Sequence, residues 1–269
     1  MPKISVLMSA FNCAATIDKS IDAILAQSLS DFEFLICDDG STDGTAARIR
    51  EKQKRDSRIV FLANEKNRGL PFSLNRCLAA AAGEYCARMD GDDLCDPTRF
   101  AQQAAFLDAH PEFAFVSTPM RRFDEQGYYS EGKRRVAEPQ ALDFVKGSPF
   151  CHAPVMVRAA AYRAVDGYRD LPRTRGVEDY DLWFRLYAAG LRGYILERPL
   201  YDMFDGRGAD RRRTWRRRTN EAWVRWQGYR MLHLPARCRV YALKPLALGL
   251  LPAALYRRLH KSRIQSGAR

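Results

Sequence analysis

Glu84-Tyr85-Cys86-Ala87-Arg88-Met89-Asp90-Gly91-Asp92-Asp93 is an apolar-leaning run that ends in three carboxylates within four residues. Its first part reads as a buried strand over 84–87, and Asp96-Pro97 beyond it is a place where a helix begins. Clustered carboxylates repel one another in low-dielectric surroundings, so they need water, a cation or fixed donors. A divalent cation meets that need. Asp-x-Asp brings two hard oxygen donors together, and Mg²⁺ or Mn²⁺ held this way carries a diphosphate. On this reading Gly91 keeps a side chain out of a ligand's path. A solvated acidic turn with a helix N-cap at Asp96 explains the same residues, so the surrounding chain has to decide.

Upstream, residues 4–8 (Ile-Ser-Val-Leu-Met) have the composition of a buried parallel strand and end in the loop Ser9-Ala10-Phe11-Asn12. Ile17, Ile21, Ile24 and Leu25 then repeat on one helical face. Two more strands, over 34–37 and 59–62, run into Asp38-Asp39-Gly40-Ser41-Thr42-Asp43-Gly44 and Asn64-Glu65-Lys66-Asn67-Arg68-Gly69. A helix follows over about 71–82, carrying Phe72, Leu74 and Leu78. Strands alternating with helices predict an α/β fold with a mostly parallel sheet, flanking helices and right-handed crossovers. Ligands of such sheets bind beyond the carboxyl ends of the strands. Phe11-Asn12, Asp38-Asp39, Arg68-Gly69 and Asp90 to Asp93 all fall there, which favours the cation over the plain turn. Asp39 has two readings. It belongs to a turn in which Ser41 or Thr42 caps the next helix, or its carboxylate accepts the imino N–H of a uracil ring.

Composition places the chain among globular proteins: 269 residues, 46% hydrophobic and 28% charged. The net charge of +12 is unevenly distributed. Residues 206–269 hold 17 Lys and Arg against two acids, Asp210 and Glu221, whereas the other 205 residues hold 27 against 30. Two regions are indicated: 1–205, divided into a nucleotide-binding half (1–96) and an acceptor half (97–205), and a basic helical extension (206–269). The seven cysteines form no C-x-x-C pair, and several lie in apolar runs, as reduced thiols of a cytosolic protein do. No signal-peptide pattern precedes the first strand, and no apolar run reaches the roughly 20 residues of a membrane span.

These residues, in this order, resemble the family 2 glycosyltransferases. The likeness rests on the first strand with Phe11-Asn12, Asp38 to Asp43, Asn67-Arg68-Gly69 with Asn75, and Gly83-Glu84-Tyr85 leading into Asp90 to Asp93. It continues through His152 to Arg158 and Gly167-Tyr168 to Glu178-Asp179-Tyr180-Asp181-Leu182-Trp183. Phe150-Cys151-His152 and Arg173-Thr174-Arg175 make it most similar to bacterial exopolysaccharide-biosynthesis glycosyltransferases. The resemblance implies a GT-A fold, a nucleotide-diphosphate sugar donor (usually UDP), a Mn²⁺ or Mg²⁺ cofactor and inversion at the anomeric carbon. It assigns Ser9, Phe11 and Asp39 to the nucleoside, with Phe11 where the family often has Tyr. Asp90 and Asp92 would meet ribose and metal, Asp92 the stronger metal ligand, and Arg68 would approach phosphate or base. Asp179 would be the base that deprotonates the acceptor hydroxyl, with Glu178 its neighbour.

The second half reads as a helix with Phe100, Ala104 and Leu107 on one face, a strand over 113–116, a hairpin turning at Glu125-Gln126-Gly127 and a strand over 150–157. His152 and Trp183 are acceptor-side candidates, although a lone His in an apolar run is more often structural. In the tail, Arg207, Arg211 to Arg213 and Arg216 to Arg218 flank Trp215, followed by Trp223, Trp226 and Tyr229. An apolar run over 246–255 lies between basic residues. This suits an interfacial helix on an anionic membrane, hence a peripheral protein on the inner face of the cell membrane with a lipid-linked or oligosaccharide acceptor. Nucleic acid is the less favoured partner, and packing of the tail on its own domain is a further reading. A GT-A-fold binding or regulatory protein acting through the tail is the alternative to an enzyme.

Overall fold

The computed structural model describes residues 1–206 and 214–250. Strands β1 (Ile4–Ala10), β2 (Phe32–Asp38), β3 (Ile59–Ala63) and β4 (Tyr85–Asp90) form where runs of buried apolar residues were expected, and all pair in parallel. Helices α1 (Ile17–Leu25), α2 (Thr45–Arg55) and α3 (Leu70–Ala80) connect them. Beyond β4 come β5 (Leu94–Cys95), α4 (Arg99–Ala109) and β6 (Phe113–Ser117). The hairpin is β7 (Met120–Asp124) and β8 (Gly127–Glu131). Then follow β9 (Met156–Arg158), α5 (Ala159–Ala164), α6 (Glu178–Ala188), β10 (Arg192–Ile195), β11 (Tyr201–Phe204), α7 (Trp215–Met231) and α8 (Lys244–Gly249).

The main sheet has the order β10-β6-β9-β4-β1-β2-β3, and only β9 runs antiparallel to its neighbours. A smaller sheet, β5-β11-β7-β8, lies at the end of β4. One face of the main sheet packs Ile4, Val6 and Met8 with Ile17, Ile21 and Phe100. The other packs Leu7 and Leu35 with Phe115, Trp183 and Phe184.

Three expectations need correction. The strand expected over 150–157 is confined to β9; Val155 N–H turns back to the His152 carbonyl, and Pro154 has no N–H for a ladder. Ser41 and Thr42 do not cap α2: the Ser41 hydroxyl accepts from Asn12 N–H, and Asp43 takes the Thr45 N–H at 3.1 Å. Gly91 serves packing: a Cβ there would come within 3.0 Å of Cys13 Sγ and 3.2 Å of Ile17 Cδ1, so its bareness lets the start of α1 close on the acidic turn.

The described part of the basic tail packs on the acceptor half. Val224, Tyr229, Leu234, Cys238 and Ala242 join the core that contains Trp183 and Phe184. Asn220 donates to the carbonyls of Pro172 and Arg175, both at 3.0 Å. Half of the run over 246–255, residues 251–255, lies outside the described residues. No helix among the described residues is long and apolar enough to cross a membrane. All seven cysteines are free thiols, five of them buried.

Candidate active site

Strand β1 lies between β2 and β4, with Ser9 in register with Cys37 on one side and Asp90 on the other. Parallel partners share a face, so Ser9, the end of β2 and Asp90 form one continuous edge, with about 5 Å between strands. Phe11 follows on the loop, 47% exposed, as a ring that is to stack on a base must be. Asp39 extends β2 by a backbone bond to the Ala10 carbonyl at 2.8 Å.

The Asp39 side chain is buried and tied to the next loop. Oδ1 accepts from Asn64 Nδ2 at 2.7 Å and from Arg68 N–H at 2.8 Å, while Oδ2 accepts from Gly69 N–H at 2.8 Å. Gly40 permits this approach: at φ +73° a Cβ would lie 2.6 Å from the Lys66 backbone. Arg68 turns its guanidinium over the Phe72 ring at 4.2 Å, and its side chain is exposed. Thus it is the backbone of Arg68 that joins the Asp39 cluster.

In the acidic turn the three carboxylates have different surroundings. Asp90 is paired with Arg88 at 2.6 and 3.0 Å. Asp93 is buried, and Oδ1 accepts the Phe204 N–H of β11 at 2.7 Å. Burial, and then the neighbouring charges of Asp90 and Asp92, push its pKa well above the usual carboxylate range. Asp92 is half-buried. A hard cation of the Mg²⁺ or Mn²⁺ type takes one or two protein carboxylates and completes its shell with phosphate oxygens and water, so this donor set fits one. No three acidic, His or Cys side chains converge as a metal site among the described residues.

The acceptor-side candidates come from α6 and from the segment before β9. Glu178 and Asp179 occupy the first turn of α6, where backbone N–H groups favour negative charge. Even so, burial raises the pKa of Asp179, opposed by the Tyr180 backbone and by the charges of Arg217 and Arg88. Glu178 is raised by burial and by Asp179, and its Oε2 accepts Gly176 N–H at 2.6 Å, which organises the preceding loop. His152 Nε2 bonds the Tyr168 hydroxyl at 2.7 Å. Burial, and then the Arg88 charge, hold its pKa well below 6.5, so it is neutral. Trp183 is a core residue: fully buried and stacked on Phe115 at 4.9 Å, it presents no surface to an acceptor.

The family model for glycosyl transferase family 2 matches residues 5–166. A putative glycosyltransferase, EpsE of Bacillus subtilis, is 42% identical over 98% of this chain and 95% of its own length. The chain belongs to glycosyl transferase family 2. Within the family it is also similar to the amylovoran biosynthesis glycosyltransferase AmsE of Erwinia amylovora, at 27% identity over 69% of this chain and 70% of AmsE. The GT-A fold is seen in Staphylococcus aureus TarS (residues 1–349), solved with UDP-GlcNAc: TM-score 0.72, 18% identity, 90% of this chain and 73% of that one. The mannosyltransferase PcManGT of Pyrobaculum calidifontis, solved with GDP-Man and Mn²⁺, aligns with a TM-score of 0.64 at 19% identity over 97% of this chain and 79% of that one. This family 2 member is therefore a glycosyltransferase of GT-A fold.

Sequence reasoning assigned no role to several groups at this site. Tyr201 of β11 accepts the Asp90 N–H at 3.1 Å, and a lone Tyr in a four-residue strand gave no signal of this. Asn75 and Tyr168 exchange two bonds, at 2.7 and 2.9 Å, that lock α3 to the loop leading to α6. Arg88 was legible in principle, because two residues along a strand share a face with Asp90.

Proposed function

We propose that this glycosyltransferase moves a hexosyl or N-acetylhexosaminyl group from a UDP-sugar, with inversion, to a lipid-linked or oligosaccharide acceptor in the synthesis of an exopolysaccharide or related surface glycan. The observation that carries the reading is that Asp90, beside Ser9, and Asp39, bonded to Ala10, lie on one sheet edge while α6 brings Asp179, with its raised pKa, within the field of Arg88, the partner of Asp90. Similarity to the amylovoran biosynthesis glycosyltransferase AmsE supports the surface-glycan role, and the ligand of TarS supports a UDP donor.

In this reading Phe11 stacks on the base, and Ser9 and Asp39 line the nucleoside. Asp39 Oδ2, which takes one hydrogen bond from Gly69, has a second acceptor position for the imino N–H of uracil. Asp90 accepts from ribose hydroxyls, and Asp92 holds the cation. When bound, Mn²⁺ or Mg²⁺ supplies charge stabilisation for the departing diphosphate. Asp179 takes the proton of the acceptor hydroxyl as its oxygen attacks the anomeric carbon from the face opposite the diphosphate. Burial suits Asp179 to this, because a carboxylate with a raised pKa is a stronger base.

The tail is proposed to hold the enzyme on the anionic cytoplasmic face of the membrane. Trp215, Trp226, Val240, Tyr241, Leu243 and Leu250 are exposed, among exposed Arg216, Arg230 and Arg237. Apolar side chains with basic neighbours are the interfacial pattern. The test of the catalytic reading is UDP titration with and without Mn²⁺, on wild type and Asp92→Asn. Metal-strengthened binding that the substitution abolishes is expected. Binding indifferent to both metal and substitution would remove the proposed site.

A further inference from the structure

Arg88 is a cation inside the core, 4% exposed, on a strand whose neighbours are apolar. It stands in register with Leu7 of β1, on the face packed by Phe115, Trp183 and α6. Burying a guanidinium costs several kcal/mol, and a hydrophobic residue of similar volume is often the more stable choice. The position therefore needs an explanation beyond packing.

Its surroundings provide one. Nη1 and Nη2 donate to Oδ2 and Oδ1 of Asp90 at 3.0 and 2.6 Å, a two-pronged pair along one face of β4. Nε has no hydrogen-bond partner, so the guanidinium is aimed at Asp90 and not at a wider network. The backbone is fixed as well: Arg88 N–H donates to the Val155 carbonyl at 2.9 Å, and the Arg88 carbonyl accepts from Arg99 Nη2 at 2.8 Å. Asp90 N–H donates to Tyr201 at 3.1 Å, so that both ends of the aspartate are held. The field of Arg88 also reaches His152, Tyr162, Tyr168, Tyr201, Glu178, Asp179 and the like charge of Arg99.

We propose that Arg88 is a positioning residue for the donor site, its buried guanidinium clamping Asp90 by both oxygens and committing that carboxylate to sugar hydroxyls instead of the cation. An ionised carboxylate has about four lone-pair positions, of which a two-pronged Arg occupies two. The remaining two face out from a side chain that is still 30% exposed, at the sheet edge beside Ser9. Hydroxyl donors fit those positions. A divalent cation would have to approach a carboxylate already neutralised by a guanidinium and would meet like charge behind it. Asp92, two residues on, is left as the carboxylate for metal.

This inference rests on the UDP-donor reading, and the test separates the two. UDP is titrated calorimetrically at saturating Mn²⁺ into wild type, Arg88→Met, Asp90→Asn and the double variant. Each single change is expected to weaken UDP binding about tenfold. The double variant is expected to be no weaker than the weaker single, because Arg88 acts through Asp90. Arg88→Lys, which keeps the charge but not the fork, is expected to fall between wild type and Arg88→Met, and it also stands in for Arg88→Met should the latter fail to fold. A double variant weakened by the product of the two singles, or an Arg88→Met or Arg88→Lys protein that binds like wild type, overturns the clamp and leaves the donor reading intact. Wild type that binds neither UDP nor GDP overturns both.

Discussion

The carboxylate of Asp39, on the loop after β2, receives the backbone N–H of Gly69, on the loop after β3, at 2.8 Å. With Arg68 N–H and Asn64 Nδ2 on its other oxygen, Asp39 pins two sheet-edge loops to each other. The side chain read as a nucleoside contact thus also fixes the two loops beside it. Asp39→Asn keeps one acceptor oxygen and turns an N–H donor towards the loop. A buried donor left without its partner costs about 1–3 kcal/mol. With a slope of about 1–3 kcal/mol/M, the urea midpoint is expected to fall by about 1 M, accompanied by at least a tenfold loss in UDP affinity. Unchanged values of both would show that the loop is held by other contacts.

Asp179→Asn is expected to lower the transfer rate about 10²–10⁴-fold while leaving UDP affinity near that of wild type. The base must be deprotonated to act, so kcat/KM falls as pH drops through its pKa. Because burial raises that pKa, the acid limb should lie above the usual aspartate range. Arg217 pulls in the opposite direction, so Arg217→Ala should move the limb to still higher pH. A pH–rate profile of each protein checks both, and a downward shift for Arg217→Ala would remove Asp179 from the role.

Gly228 of α7 touches Phe184 of α6 closely enough that a Cβ would lie 2.3 Å from its ring. Gly228→Ala forces the ring or the helix to move and is expected to cost about 1–3 kcal/mol, read by urea denaturation. Truncation before α7 should be far more damaging, since it uncovers the core around Trp183 and Phe184. A truncated protein as stable as the full chain would mean that this interface contributes little.

Membrane attachment is therefore better tested on exposed charges than by deletion. At an anionic surface each basic residue is worth about 1 kcal/mol, so removing Arg216 and Arg237 should cost about 2 kcal/mol, or roughly thirty-fold in vesicle affinity. Charge reversal, Arg216→Glu with Arg237→Glu, should lose more. Sedimentation with vesicles rich in phosphatidylserine measures it, and UDP affinity should not move. Vesicle binding that survives the reversal would dismiss the electrostatic anchor.

Sequence by itself determined β1 to β4, the carboxyl edge and the identities of the acidic residues on it. Each of those strands is a largely apolar run; β1, β2 and β3 are neighbours in both chain and sheet, and β4 returns past them to pair with β1 on its other side, as right-handed parallel crossovers allow. Tertiary structure alone decided that β9 inserts antiparallel between β4 and β6, and that β10 and β11 form at all. Strands of three or four residues have too little pattern to register before their partners are known. It also decided what each acid does. Asp39, Asp90 and Asp93 are alike as residues, yet one pins a loop, one is clamped by Arg88 and one is buried against β11. Trp183, an acceptor-side candidate by its position in the chain, is instead covered by Phe115 of β6 and by Phe150. Burial and pairing are set by residues distant in the chain, and so a motif names the chemistry available at a site before the fold assigns it.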